Sequence, residues 1–188
     1  TVAGSQTVDF GSNRLQNVAT PTSSTDAANK SYVDSVKQAL DIKDSVRVGT
    51  TANLSASYNN GSSGVGATLT ADANGALSVD GVTPSAGDRI LVKDQSSAAH
   101  NGIYSVTTVG DGSNAFVLTR VTDADSSTQV TGGLFTFVEE GSNNADNAYV
   151  LTSVTGTATL GSDNLIFTQF SVAVIPFNLS VSELISIP

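Results

Sequence analysis

The sequence predicts a mainly β protein: an antiparallel β-sandwich or small barrel as the head, preceded by an extended β arm and a single short helix. Three observations carry that expectation. From Asp44 onward apolar residues alternate with polar ones at period two. The dipeptides Asn74-Gly75, Asp80-Gly81, Asn101-Gly102 and Asp111-Gly112 punctuate these runs, and such pairs favour the positive φ angles of tight turns. A clear helical period occurs near the N-terminus, in "STDAANKSYVDSVKQALDIKDSVRV", residues 24–48.

Residues 1–23 read as an extended arm. Val8 and Phe10 alternate with polar neighbours, Gly11-Ser12-Asn13 turns the chain, and Leu15 and Val18 precede Pro21. A segment this short cannot bury its own apolar side chains, so pairing with another copy or with a partner is expected.

Residues 24–43 read as the helix. Ser24 or Thr25 suits the N-cap, and Asp26 in the first turn complements the positive end of the helix dipole. Ala28, Tyr32, Val36, Ala39 and Leu40 follow at helical spacing, with Val33 beside them. A helix of about 15–18 residues is marginal alone in water, so its narrow stripe needs a partner surface. Either the same chain supplies that surface, or identical helices do so in a short parallel coiled coil. The registers Asn29/Val33/Val36/Leu40 and Tyr32/Val36/Ala39 each provide only about two heptads.

Residues 44–171 read as the β-sandwich head. Val46 and Val48 alternate, and strands are expected at 89–93, 103–107, 116–121, 134–139, 149–152 and 165–170. Residues 51–75, rich in Ser, Asn, Gly and Ala, read as a long excursion with one or two short strands. Residues 172–188, "VAVIPFNLSVSELISIP", are apolar, β-prone and interrupted by Pro176, a tail expected to lie buried between subunits.

With 188 residues and 39% apolar content, the chain can build one main core. Cys, Met and Trp are absent, which removes disulfides, thiolate nucleophiles and Cys-based metal sites. Thr1 and the lack of Met imply a lost initiator or a cut from a longer chain. No run approaches the ~18 apolar residues of a membrane-spanning helix. The net charge is −9, and because residues 1–50 hold five Lys/Arg and five Asp, the whole excess lies beyond residue 50. Such a surface repels phosphate backbones and anionic lipid, so neither nucleic-acid binding nor membrane insertion is expected.

One segment is specific enough to suggest a family. "NRLQNVATPTSSTDAANKSYVD", residues 13–34, resembles a phrase of the type L-x-N-V-x-x-P-x-x-x-x-D-A-A-N-K-x-Y-V-D, found in bacteriophage tail-fibre and tail-associated proteins. The matching positions are Leu15, Asn17, Val18, Pro21, Asp26, Ala27, Ala28, Asn29, Lys30, Tyr32, Val33 and Asp34. "KDSVRVGTTANLS", "GVTPSAGDRILVKDQSSAAHNGIYSV" and "GSDNLIFTQFS" also look like a phage tail module. The resemblance covers most of residues 13–171, departing in the insertion near 55–75 and falling silent after 171. It implies a homotrimeric structural component of the virion, located in the phage tail and involved in host attachment. Under that reading Ala28, Tyr32, Val33, Val36 and Leu40 form the trimer contact, and Val8, Phe10, Leu15 and Val18 dock the arm to other tail or baseplate proteins. The alternatives are a dedicated receptor-binding protein, its head loops engaging a host surface glycan or protein, and a baseplate or connector protein.

Enzymatic chemistry finds little support in the residues. His100, the single histidine, sits in "AAHNG" before an expected turn, and a triad would need it beside a Ser and an acid. Glu139 and Glu140 are strand neighbours pointing to opposite faces, a poor acid–base pair. "DADSS", residues 123–127, lacks the Gly and the terminal acid of an EF-hand loop. No catalytic residue, metal or cofactor is therefore expected. Tyr149 suits core or cross-strand packing. Tyr58, in a Ser/Asn/Gly-rich loop of the kind that adaptable binding surfaces use, is the candidate receptor contact.

Overall fold

The computed structural model describes residues 11–33 and 41–170. The chain divides into two compact units, Thr1–Ala39 and Leu40–Pro188.

In the first unit the residues read as helix from 24 onward begin their helical turn only at 30–33. The N-cap is Asn29, not Ser24 or Thr25: its Oδ1 accepts from the Tyr32 N–H at 2.8 Å, and the Val33 N–H donates to its carbonyl at 3.1 Å. Asp26 closes a preceding turn instead, accepting from the Thr22 and Ser23 N–H groups at 2.9 Å each. A carboxylate two N–H groups can reach locally serves a turn as well as a helix start, and the turn wins here. Residues 41–43, read as the end of the helix, instead lie against the sheet: the Lys43 N–H donates to the Phe135 carbonyl at 2.8 Å and Ile42 bridges Phe135.

The second unit is mainly β. Its strands are β1 Val46–Gly49, β2 Ala56–Asn59, β3 Thr68–Ala71, β4 Arg89–Val92, β5 Gly102–Thr108, β6 Val117–Arg120, β7 Phe135–Glu140, β8 Asn147–Leu151 and β9 Phe167–Gln169. Among the described residues they form one sheet in the order β2-β3-β6-β5-β4-β1-β7-β8-β9. The expected antiparallel sandwich or barrel is thus corrected to a single, mixed, unclosed sheet. The parallel pairs come from β1, which lies between β4 (Val48 opposite Ile90) and β7 (Val46 opposite Val138). Parallel neighbours need long crossovers, which the chain supplies between residues 49 and 89 and by adding β7 on β1's other side.

Side chains pack on both faces of the central strands. Leu91 and Ile103 join one cluster with Val46, Leu134, Val138, Leu151 and Leu165. Ile90, Val92 and Tyr104 join the other with Val48, Leu69, Leu77 and Leu118. This explains why β4, "RILV", is apolar at consecutive positions: a strand covered on both faces has no side to give to water.

Two Asx-Gly pairs were used differently from each other. Asp80 (φ 48°) and Gly81 (φ 81°) make a tight hairpin in which Val79 and Val82 exchange N–H···O bonds at 2.9 and 2.8 Å. The Asp80 carboxylate then ties this hairpin to the loop after β7, accepting from the Asn143 and Asn144 N–H groups at 3.0 and 2.8 Å. Asn101-Gly102 is no turn. Gly102 opens β5, and a Cβ there would fall 2.0 Å from Arg120 Nη1.

Arg120 is 2% exposed, and no carboxylate pairs with it among the described residues. Its Nη2 donates to the Asn101 carbonyl and to the Tyr104 hydroxyl at 3.0 Å each, and the guanidinium lies 4.9 Å from the Tyr104 ring centroid. The aromatic face and two oxygen acceptors replace a counter-ion.

Candidate functional site

The phrase at residues 13–34 can be followed atom by atom from Asn13 to Val33. Asn17 adopts φ 58°, a left-handed conformation that Asn tolerates better than most side chains. That turn brings the Val18 carbonyl within 2.9 Å of the Asn29 Nδ2, which donates to it. Asn29 therefore holds the arm with one end of its amide and caps the helix with the other. Asp26, fully exposed, is held below the usual carboxylate range, first by the Thr22 and then by the Ser23 backbone N–H. Between these ties lies a cleft of about 380 Å³, with Leu15, Asn17 and Val18 on one side and Ala27, Ala28 and Lys30 on the other.

The unit spends its polar groups on local ties and keeps its apolar groups outside. Leu15, Tyr32 and Val33 are 57%, 42% and 51% exposed. Within residues 11–33 no residue is buried, and only Val18, Pro21 and Asn29 are half-buried. Of the residues expected at the trimer contact, Ala28, Tyr32 and Val33 are thus exposed, whereas Val36 and Leu40 lie outside the described residues. Of the docking set, Leu15 is exposed and Val18 half-buried, while Val8 and Phe10 lie outside the described residues, as does the tail from 172 to 188.

In the head, Tyr58 sits in β2, an edge strand, rather than on a loop tip. Its hydroxyl donates to Asn60 Oδ1 at 2.6 Å, and its ring stacks on His100 with centroids 4.2 Å apart. One face of the ring is therefore covered. Burial, and secondarily the Arg120 charge, lower the His100 pKa. Tyr149 is buried and donates to Asn144 Oδ1 at 2.6 Å. Glu139 accepts from the Ser45 hydroxyl, whereas Glu140 pairs with Arg47 at 3.2 Å. Asp123 accepts two hydrogen bonds from Arg89 at 3.0 Å each. These acids serve local ties.

The sequence places Asn17 and Asn29 in the matching phrase, but the turn made by the first and the cap made by the second were not anticipated. Their signal was available: an Asn is favoured both at left-handed positions and at N-caps. Nor was the outward side of β7 and β9 anticipated, where Phe137, Ile166 and Phe170 are 39%, 49% and 73% exposed. Comparison with protein-family models, curated proteins and solved structures finds no match to this chain.

Proposed function

We propose that the protein is a non-enzymatic structural component of a bacteriophage tail, a homotrimeric fibre or tail-tip protein involved in host attachment. The observation that carries this reading is the lack of a core among the described residues of the first unit. Residues 11–33 are locally tied yet bury no side chain, and they expose Leu15, Tyr32 and Val33 within the phrase that resembles tail-fibre junctions. A segment of this size gains too little from its own burial to stay ordered, so identical neighbours supply the missing cover. Three copies held at the junction then display three heads, and weak contacts at each head add up by avidity.

Its partners under this reading are itself and other tail or baseplate proteins. The receptor-binding alternative is weakened at Tyr58, whose ring is taken up by His100, so a glycan contact would rest on other head loops.

The test is solution mass by sedimentation for the full chain and for a Tyr32→Asp/Val33→Asp variant. A trimeric wild type that dissociates in the variant is the expected result. A monomeric wild type would remove the trimeric reading.

A further inference from the structure

The outward face of β7, β8 and β9 presents several exposed apolar side chains among the described residues. By strand alternation Phe135, Phe137, Ala148, Val150, Thr168 and Phe170 share this side, with Ala148 buried and Phe135 and Val150 half-buried, opposite the buried Thr136, Val138, Tyr149, Leu151 and Phe167. Phe170 continues the pairing past β9, its N–H donating to the Ala148 carbonyl at 2.7 Å and its ring meeting Phe135 edge-on at 6.0 Å. Ile42, 65% exposed, lies beside Phe135 at one margin, and Ile166, 49% exposed, at the other. Of the outward residues on the three strands only Glu139 is charged, and the Ser45 hydroxyl donates to it.

We infer that this face is the surface on which copies of the chain meet. Area is the first argument. Phe137 and Phe170 at 39% and 73% exposure, with Ile42 and Ile166, leave about 400 Å² of apolar side chain in water, taking ~180 Å² for a large apolar side chain. That matches the largest patches found on monomers. It also approaches the ~500 Å² of apolar surface in one side of a standard interface.

Charge is the second argument. The net excess of −9 lies beyond residue 50, so heads repel one another over most of their surface. This face, with Glu139 as its one charged strand residue, adds little to that repulsion and offers apolar surface to bury. Interface centres are depleted of charge in the same way.

Position is the third argument, and it rests on the proposed trimer. The chain enters the head beside β7, at one margin of this face: the Phe135 N–H donates to the Asp41 carbonyl, the Lys43 N–H to the Phe135 carbonyl, both at 2.8 Å, and Thr131 Oγ1 to Asp41 Oδ2 at 2.8 Å.

The chain contains no cysteine, so a single introduced thiol reports unambiguously. A full-length Thr168→Cys variant, treated with a short bismaleimide, is expected to cross-link between copies, whereas Ser126→Cys on a distant loop is not. Full-length Phe137→Ser/Phe170→Ser changes only partly or largely exposed rings, with folding checked by circular dichroism. Its association should weaken by roughly 100-fold or more, since each lost aromatic anchor costs about tenfold or more. Equal cross-linking at 168 and 126 would overturn the inference, as would an unchanged solution mass in the serine variant. Dissociation by Tyr32→Asp/Val33→Asp alone leaves the junction reading standing and removes this one. Dissociation by the serine variant alone does the reverse, and a monomeric wild type removes both.

Discussion

Replacing Gly102 by Ala should destabilise the head through one side chain, Arg120. The added methyl would lie 2.0 Å from Nη1 and 3.0 Å from the guanidinium carbon. Arg120 is flexible in principle but 2% exposed, so moving it forfeits the Nη2 bonds to the Asn101 carbonyl and the Tyr104 hydroxyl. Overpacking of this kind costs ~1–3 kcal/mol, and buried hydrogen bonds from a charged donor are worth ~1.5–3 kcal/mol each, partly recovered on relaxation. The φ of 149° at this residue adds about 1 kcal/mol of backbone strain. A total near 4 kcal/mol follows, which for a unit of this size lowers Tm by roughly 8–16 °C. A double-mutant cycle with Arg120→Met isolates the cause. Arg120→Met removes a buried charge that has no carboxylate partner, and beside it Gly102→Ala should cost only the backbone share. Denaturant midpoints for the four proteins should therefore show a coupling of about 3 kcal/mol. A cycle that closes within about 0.5 kcal/mol would refute the claim that Gly102 exists to make room for Arg120.

Two further outcomes are expected. Asp80→Asn keeps the residue's shape and its tolerance of φ 48°, but it replaces a carboxylate that takes the Asn143 and Asn144 N–H groups, and it should cost ~2–3 kcal/mol in urea unfolding. Burial opposes ionisation of Asp80, but the Asn143 and Asn144 donors outweigh it and lower its pKa. Its contribution is therefore complete above the unfolded value of about 3.9 and lost as pH falls through the lower folded value. Stability of the wild type should fall more steeply with acid in that window than stability of the variant. His100 is the only histidine, so one imidazole signal follows its titration by NMR. Burial and then Arg120 lower its pKa, so its contribution is full above about 6.5 and lost as pH falls through the folded value. Tyr58→Ala, which uncovers the ring, should move the midpoint back toward 6.5, and an unmoved midpoint would count against the stacking as the source of burial.

Strand positions were legible because period two is a local property. Ile90/Val92, Phe135/Phe137 and Tyr149/Leu151 alternate in the sequence as they do in the sheet. Partners and directions were not, because a strand carries the same alternation whichever way its neighbour runs, and β1 therefore read as one more antiparallel strand. At the helix start, three capping residues in a row at 24–26 hid the real cap at Asn29. Nothing in the sequence marks Arg120 as buried, because arginine rarely goes inside, and only its aromatic and carbonyl surroundings make burial tolerable. At the candidate site the exposed side chains Leu15, Tyr32 and Val33 were expected as contacts, whereas Asn29 was read as a seam position and its capping amide was not foreseen. "LFTFV", residues 134–138, held an unused clue: a strand with apolar residues on both sides needs cover on both sides.

The placement of β1 makes the head mechanically lopsided. A pull delivered through the N-terminal end reaches β1, which is held by hydrogen bonds on both flanks, to β4 and to β7. A pull delivered through the far end reaches β9, whose one strand neighbour among the described residues is β8. Tension between the two ends should therefore peel the sheet from β9 inward, while the anchoring side holds until much of the domain has already come apart.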